Sequence, residues 1–268
     1  MKEHLHLHII ASGSKGNAAI VQGPEGSLLV DMGISRKKLL ELASYIQADV
    51  TDIKAILLTH EHGDHTKGLK VFAKQTGCKI YATQKTATSR TSLQGMEFVT
   101  IGNADRFDLA GIGISTFSTS HDVQDPIGFR FELDGDAIGY CTDTGYLTDP
   151  ARELLSDTRI LAIEANHDQS MLASGPYPRY LKERIASERG HLSNSQTAQY
   201  LPELISDRTQ HIIAMHLSEE NNRPSLCVQT LAESIGALPS NSCKTQAKTC
   251  DEKITIWAAG QEKPLSIQ

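Results

Sequence analysis

The segment IKAILLTHEHGDH, residues 53–65, joins a short apolar run to a dense set of metal-binding side chains. Its first six residues have the length and hydrophobicity of a buried strand, and a helical pattern resumes after the segment. The alternation of the polar residues lets His60 and His62 face one metal ion while Asp64 and His65 face another. A solvated polar loop is the alternative, but a motif of this length directly after an apolar strand favours a metal site.

The composition is that of a globular protein. The 268 residues are 39% hydrophobic and 22% charged, and we predict a single domain over residues 1–268. The chain has no apolar run that spans a bilayer and its first residues lack a leader pattern, so we expect a cytoplasmic protein with no membrane partner. Five scattered cysteines without a CxxC pair are typical of thiols in a reducing compartment. Because the net charge is −6, a polyanion would have to be held by local basic groups and bound cations.

The order of sequence patterns predicts two sheets with helices on their outer faces, an α/β sandwich. Short strands open the chain, and strands recur over residues 97–142. The part after Thr148 is predicted to be mainly helical, apart from strands at 159–163 and 211–216. The polar segment 240–248 is predicted to be a mobile loop.

Several histidines lie outside the motif. His4, His6 and His8 alternate with apolar residues in the first strand, which we interpret as an edge strand with these three side chains exposed. His211 is interpreted in the same way. None of the four is predicted to bind metal.

The HEHGDH run matches the HxHxDH signature of the metallo-β-lactamase superfamily position for position, and the chain resembles that superfamily. The resemblance implies a four-layer αββα sandwich of two mixed β-sheets flanked by helices. It also implies two divalent ions, with His121 in STSHD as a third histidine ligand, Asp143 in YCTDTG as the bridging carboxylate and His216 in IIAMHLS as the last histidine. Zinc, manganese and iron all accept this set of nitrogen and oxygen ligands, and the sequence does not choose among them.

More of the chain resembles one bacterial branch of that superfamily, the YycJ or WalJ subgroup, which is regarded as a group of DNA exonucleases. The matching segments, which cover most of the chain up to Pro224, are ASGSKGN (11–17), THEHGDH (59–65), SHD (120–122), TDTG (142–145), EANHD (164–168), GPYPRYLKERI (175–185), GHLSN (190–194) and HLSEENNRP (216–224). The resemblance implies an enzyme, a metal-dependent hydrolase that degrades double-stranded DNA from 5′ to 3′. Its partner would be DNA, either the 5′ end of a duplex or a single strand, with the oligomeric state left open.

Phosphodiester hydrolysis needs an activated water and a proton for the departing sugar oxygen. Two divalent ions bridged by Asp143 and a water would lower the pKa of that water towards neutrality. Asp64, as a metal ligand at this centre, is also predicted to be catalytic. A histidine is the natural proton donor, either His191 in GHLSN or His167 in EANHD. We favour His191 because the residues around it, Gly190 and then Ser-Asn, predict a loop leading into a helix N-terminus.

The alternative role for His167 is to orient ligand histidines. In that interpretation Glu164 and Asp168 would hold the imidazoles that bind metal. A purely structural role stays open for His167 and for His191.

Two segments are candidates for substrate binding. The loop of residues 12–17 offers free backbone N–H groups, the hydroxyls of Ser12 and Ser14 and the amide of Asn17, all of which suit a phosphate. A Gly-Ser turn between two strands is the more common explanation, and only the neighbouring metal site favours contact with a substrate. The second candidate is the basic and aromatic stretch of residues 176–190, which contains Arg179 and Lys182. Its cations could bind a nucleic-acid backbone, and its tyrosines could stack on an end base. The rest of that stretch is Tyr177, Tyr180, Arg184 and Arg189. A solvated helix face is the alternative for it.

Two other functions compete with a nuclease. The same metal site serves small-molecule hydrolases acting on a thioester, a lactam or a cyclic phosphodiester, although a bridging carboxylate disfavours a true lactamase. The other alternative is a regulatory protein that keeps its metals for folding and acts by binding a partner.

Overall fold

The computed structural model describes residues 4–268. The expectation that the first residues form no leader falls partly on residues 1–3, which lie outside the described part. The chain divides into two compact units. Unit 1 contains the residues up to Ser118, Val123–Asp136 and Gln261–Gln268, and unit 2 contains Thr119–Asp122 and Ala137–Gly260. The single domain expected over residues 1–268 stays a prediction.

The strands, in chain order, are β1 (His6–Ala11), β2 (Ala18–Gly23), β3 (Gly26–Val30), β4 (Ile53–Leu57), β5 (Lys79–Ala82), β6 (Phe98–Thr100), β7 (Arg106–Leu109), β8 (Ile112–Ser118), β9 (Ile127–Leu133), β10 (Asp136–Cys141), β11 (Ile160–Glu164), β12 (His211–Met215), β13 (Ala237–Pro239), β14 (Gln246–Thr249), β15 (Thr255–Ala258) and β16 (Leu265–Ile267). The helices are α1 (Arg36–Tyr45), α2 (Gly63–Thr66), α3 (Leu69–Thr76), α4 (Gln84–Ser89), α5 (Asp149–Leu155), α6 (Gln169–Ser174), α7 (Arg179–Ile185), α8 (Asn194–Leu204) and α9 (Pro224–Ser234), with a short 3₁₀ helix at Thr91–Leu93. Two mixed sheets with associated helices confirm the predicted α/β class.

Unit 1 contains a seven-stranded sheet in the order β16-β1-β2-β3-β4-β5-β6, together with the antiparallel strands β7–β9. Strands β3 to β6 run parallel, so their carboxyl ends meet at one edge of the sheet. Leu39 and Leu42 of α1 and Leu69 and Phe72 of α3 belong to one buried cluster with Ile56 of β4. This packing holds β4 in place, and the HEHGDH motif follows the carboxyl end of that strand.

Unit 2 contains six strands in the order β13-β14-β15-β12-β11-β10. Strands β10, β11, β12 and β15 are parallel neighbours. The first two are buried along their whole length, as the near-continuous apolar runs of parallel strands require. Three polar residues stand at the carboxyl ends of adjacent strands: Asp143 after β10, Glu164 at the end of β11 and His216 after β12.

The strands predicted at 53–58, 159–163 and 211–216 are confirmed, and so is the helical pattern expected after residue 65. The mainly helical pattern predicted after Thr148 is confirmed up to Ser234 and wrong beyond it, because residues 237–267 contain four strands. The loop expected at 240–248 is partly wrong, since β14 begins within it. No helix within residues 4–268 combines the length and hydrophobicity needed to cross a bilayer.

The first strand is not an edge strand, because β1 lies between β16 and β2. His8 is therefore buried, with its ring nitrogens 2.9 Å from Ser266 Oγ and 3.1 Å from Gln22 Oε1. Burial lowers the pKa of His8. The hydrogen bond with Gln22 opposes this shift, and the nearby His6 adds slightly to it. His4 is exposed as predicted. The exposure predicted for His6 and His211 is wrong, since both are partly buried.

His211 makes stability depend on pH. Burial, and to a smaller extent Arg159, lowers the pKa of His211 to about 4, and its Nδ1 accepts a hydrogen bond from Trp257 Nε1 at 3.3 Å. The unfolded chain takes up this proton near pH 6.5. His211 therefore stabilises the fold above that pH, and we expect the contribution to be lost as the pH falls from 6.5 towards 4, by no more than about 1–2 kcal/mol after allowance for solvent exposure.

Urea unfolding at pH 7 and at pH 5, followed by the fluorescence of Trp257, measures this effect. The chain has one tryptophan, so its signal reports the His211 contact directly. We expect His211→Gln, whose side-chain oxygen can still accept from Trp257, to lose less stability between the two pH values than the unmodified protein. Equal losses would remove His211 from the acid response.

Candidate metal centre

The HEHGDH motif starts where β4 ends and runs into α2. His60 and His65 are buried, and His62 and Asp64 are partly buried. His60 Nε2 lies 3.2 Å from His62 Nδ1. Two nitrogens bound to one tetrahedral zinc ion at about 2.05 Å lie roughly 3.3 Å apart, so this pair has the spacing of two ligands on one ion.

The buried carboxylate of Asp31 holds the motif in place by hydrogen bonds. Asp31, which directly follows β3, accepts hydrogen bonds from His65 Nδ1 at 2.7 Å and from the backbone N–H of Thr59 at 2.8 Å. The Thr59 hydroxyl also reaches Asp31 Oδ2 at 2.9 Å and lies 3.0 Å from His60 Nδ1. Since the Asp31 carboxylate can only accept, it fixes the proton of His65 on Nδ1 and leaves the lone pair on Nε2.

The loop of residues 12–17 also contacts the motif. Asn17 is buried, and its Nδ2 amide lies 3.0 Å from His65 Nε2 and 3.3 Å from Asp64 Oδ2. Its Oδ1 accepts from Gly13 N at 2.8 Å, and its own N–H donates to Asp64 O at 2.7 Å. Gln261 Oε1 accepts from Lys15 N at 2.8 Å.

The expectation that this loop offers unengaged N–H groups is therefore wrong for Gly13, Lys15 and Asn17, whose N–H groups are already bonded within the protein. Ser12 is buried and Ser14 is exposed. Their contacts with a substrate, and that of Asn17, stay predictions.

Gly33 lets the motif pack against the loop. Its N–H donates to Asn17 O at 2.8 Å, and an added Cβ would overlap the carbonyl oxygen of Asp64 and crowd Asn17 N. Because both obstacles are backbone atoms, we expect Gly33→Ala to cost about 3 kcal/mol or more. A thermal unfolding scan should show a midpoint lowered by roughly 6 °C or more.

Gly63, inside the motif, is the matched control. No atom lies within 4 Å of the position of an added Cβ there, and its φ is not positive. Gly63→Ala should leave the midpoint within about 2 °C, as surface substitutions do. If both variants melted alike, close packing at Gly33 would not be what holds the motif in place.

A second cluster of ligand-type side chains lies in unit 2. One ligand atom from each of Asp143, Glu164, His191 and His216 lies within 4.8 Å of the other three. His121 joins them, with Nε2 3.7 Å from Asp143 Oδ1 and its ring 4.9 Å from that of His191. The structure thus brings the predicted ligands His121, Asp143 and His216 together with His191.

Glu164 organises this cluster. Its Oε1 accepts from His191 Nδ1 and from His216 Nδ1, both at 2.9 Å, and its Oε2 accepts from Thr144 N at 2.9 Å and Leu192 N at 3.1 Å. Burial alone would raise the pKa of Glu164, but the interaction with His191 and the hydrogen bonds from both histidines lower it to about 2. Glu164 is therefore an anion that fixes the protons of two imidazoles on Nδ1.

Backbone strain accompanies the same strand ends. Asp143 has φ +55° and His216 has φ +56°, a left-handed conformation that side chains rarely adopt. Each such residue costs on the order of 1–3 kcal/mol and persists only where its surroundings enforce it. Both residues follow the ends of buried parallel strands, and strain at such positions is often associated with functional sites.

The predicted orienting role is confirmed for Glu164 and wrong for Asp168. The carboxylate of Asp168 accepts from Met171 N at 2.8 Å and caps α6 instead. His167 is 1% exposed, and burial lowers its pKa to about 4. The side chain of His191 is 17% exposed, at a loop that leads into the capping box of α8 as predicted. Which of the two histidines donates a proton stays a prediction.

The basic side chains around α7 that were predicted to bind nucleic acid are bonded to other groups of the protein. Arg179 pairs with Glu183, and Lys182 Nζ donates to Ala173 O at 2.7 Å. The remaining cations bond to the 121–122 segment: Arg184 to the Asp122 carboxylate and Arg189 to His121 O. Tyr180 is exposed.

Comparison with known proteins places the chain in a family. Residues 27–217 match the family model described as a β-lactamase superfamily domain.

The chain belongs to the β-lactamase superfamily.

Within the superfamily, it is 35% identical over 235 residues to exodeoxyribonuclease YycJ of Bacillus anthracis, which covers 85% of this chain and 88% of that protein. It is 36% identical over 233 residues to exodeoxyribonuclease WalJ of Streptococcus pneumoniae, with 85% and 87% covered. The metallo-β-lactamase fold protein YhfI of Bacillus subtilis is similar in structure, with a TM-score of 0.70 over 98% of this chain and 99% of that chain at 16% identity. These findings confirm the predicted family and fold.

Both clusters fit the metals of a superfamily hydrolase. Imidazole and carboxylate are ligands that zinc and manganese take. Asp31 accepts from His65 Nδ1 and Glu164 accepts from His216 Nδ1, which is the arrangement usual for histidines that bind metal through Nε2. His121 adds the same arrangement, with Nδ1 3.0 Å from Gly190 O. Burial lowers the pKa of His121 despite the opposite effect of Asp143, which favours the neutral imidazole that binds metal.

Sequence reasoning missed Asp31 and Thr59. The signal for Asp31 was present, because VDMG places a carboxylate directly after a buried strand that precedes the motif strand. Thr59 lies inside the quoted motif, but only the fold shows that its hydroxyl lies between Asp31 and His60.

Proposed function

We propose that this protein is a metal-dependent phosphodiester hydrolase that removes nucleotides from the 5′ end of double-stranded DNA. The observation that carries the proposal is the pair of buried carboxylates, Asp31 and Glu164, that fix the Nδ1 protons of three histidines, in a chain 35–36% identical to two exodeoxyribonucleases. A cytoplasmic location is part of the proposal. The five cysteines support it, since all of them are free thiols.

The proposed metal ligands are the seven residues predicted from the sequence: His60, His62, Asp64, His65, His121, Asp143 and His216. When bound, two divalent ions supply a water of near-neutral pKa and neutralise charge on a phosphate oxygen. Asp31, Glu164 and the Gly190 carbonyl keep His65, His216 and His121 in the tautomer that offers Nε2. The ligand geometry is thus set before substrate binds, which lowers the cost of forming the transition state.

His191 is the proposed proton donor. Glu164 accepts from its Nδ1, so a proton on Nε2 is the one that His191 can transfer to the departing sugar oxygen. Its partial exposure allows contact with a substrate, whereas His167 is almost fully buried. Ser14 and Arg179 are exposed and stay proposed substrate contacts, together with Ser12, Asn17 and Lys182.

A substrate panel tests the proposal. Purified protein would be incubated with manganese or zinc and with 5′-phosphorylated blunt duplex, nicked duplex, single-stranded DNA and a chromogenic thioester, and its metal content measured by elemental analysis. We expect mononucleotides to be released from the 5′-labelled end of the duplex and the thioester to stay intact. Thioester cleavage without nucleotide release from any DNA would contradict the proposal.

A further inference from the structure

The charge of the chain is distributed unevenly around the metal motif. Residues 65–96 contain no acidic side chain, although the chain as a whole has a net charge of −6. The same segment has six cations: Lys67, Lys70, Lys74, Lys79, Lys85 and Arg90. A basic stretch directly after Asp64 is therefore a local feature against an acidic background.

All six of these side chains are exposed. Lys67 follows α2, while Lys70 and Lys74 lie one turn apart on α3. Lys67, Lys70 and Lys74 form what we call the α3 lysine stripe. In the described part of the chain, no acidic side chain forms an ion pair with any of the three, whereas two other exposed lysines, Lys54 and Lys253, pair with Asp52 and Asp251.

An exposed stripe without ion pairs can bind an anionic partner from outside the protein. Like charges at positions i and i+4 of a helix repel each other, so the stripe does not stabilise the fold. The cations around α7 differ, because Arg179, Lys182, Arg184 and Arg189 are each bonded within the protein. The α3 stripe thus keeps its positive charge available for a ligand.

We propose that the α3 lysine stripe binds the sugar–phosphate backbone of the DNA duplex beyond the nucleotide that is removed. This inference rests on the proposed function. From His65 to Lys74 the helical rise is at most about 14 Å, and duplex DNA carries one charge per roughly 1.7 Å of its axis, so several phosphates lie within reach. Lysines suit this partner because they act as point charges on phosphate without reading the base sequence.

The test replaces the three stripe lysines together, as K67Q/K70Q/K74Q. Binding of a 5′-phosphorylated duplex of about 30 base pairs is measured by fluorescence anisotropy in calcium, from about 50 to about 200 mM salt. We expect affinity near 150 mM salt to fall at least about 10-fold, and the slope of log affinity against log salt to become shallower by about 3. Hydrolysis of thymidine 5′-p-nitrophenyl phosphate, which is too short to reach the stripe, should stay within about twofold.

A matched control carries the same charge change in unit 2. K244Q/K248Q/K253Q replaces three other lysines, of which Lys248 and Lys253 are paired with Glu252 and Asp251. We expect it to bind the duplex like the unmodified protein. Circular dichroism melting of both triple variants confirms that each is folded.

Equal duplex affinity and equal salt slopes for the stripe variant and the unmodified protein would overturn the inference, whatever the hydrolysis results. Binding of anionic phosphatidylserine vesicles through the stripe, without competition from duplex, would overturn it too. If the stripe variant loses duplex binding but the unmodified protein hydrolyses neither substrate, the proposed function fails, and of the inference only the binding of duplex by the stripe stands.

Discussion

Replacing Glu164 with glutamine should lower metal affinity by about 10–100-fold, the usual effect of losing a carboxylate that orients metal-binding histidines. The carboxylate accepts four N–H groups, from His191, His216, Thr144 and Leu192. Glutamine has one acceptor oxygen, so its NH₂ group would face donors that can no longer be satisfied. Because Glu164 is fully buried, we also expect the metal-free protein to lose about 3 kcal/mol of stability.

Two measurements separate these effects. Competition with a chromogenic chelator gives the metal affinity, and urea unfolding of the metal-free protein gives the stability. Glu153→Gln makes the same chemical change at an exposed position of α5 and should alter neither quantity. If Glu164→Gln kept full metal affinity while losing only stability, Glu164 would be a packing residue of unit 2 and not an organiser of ligands.

The parts of the site that sequence could predict are those with local signals. His60, His62, Asp64 and His65 are contiguous, so the motif is visible without a fold. The strand before it is apolar and buried apart from the exposed Lys54, as a parallel strand inside a sheet requires, and such runs are recognisable. His121, Asp143 and His216 were found only through the resemblance, since one histidine or aspartate after a strand has no distinctive pattern.

The remainder depended on contacts distant in sequence. β1 alternates polar and apolar residues like an edge strand, yet residues 265–267 of β16 cover it and bury His8. The cations around α7 resemble a nucleic-acid grip in sequence, but the ion pair of Arg184 with Asp122 spans 62 positions. Only the fold shows which basic groups are neutralised, and it directs attention to residues 65–96 instead.

Replacing Asp64 with alanine should abolish nucleotide release while leaving the fold intact. Asp64 is a proposed metal ligand, and its side chain is 23% exposed and accepts a hydrogen bond from Asn17. We expect the loss to cost about 1 kcal/mol of stability, since the side chain is partly exposed. Loss of a ligand should lower the metal content of the protein and reduce exonuclease activity by at least about 1,000-fold.

Asp207→Ala, which removes an exposed carboxylate in unit 2, is the control for the change in charge. Activity on 5′-labelled duplex, thermal unfolding and elemental analysis would be measured on all three proteins. A folded Asp64→Ala protein with less metal and no activity would assign Asp64 to the chemistry. A folded Asp64→Ala protein that still released nucleotides at the unmodified rate would remove the motif from catalysis. In that case the hydrolysis would take place at another site, because a hydrolase cannot lose a ligand of its reactive centre without losing rate.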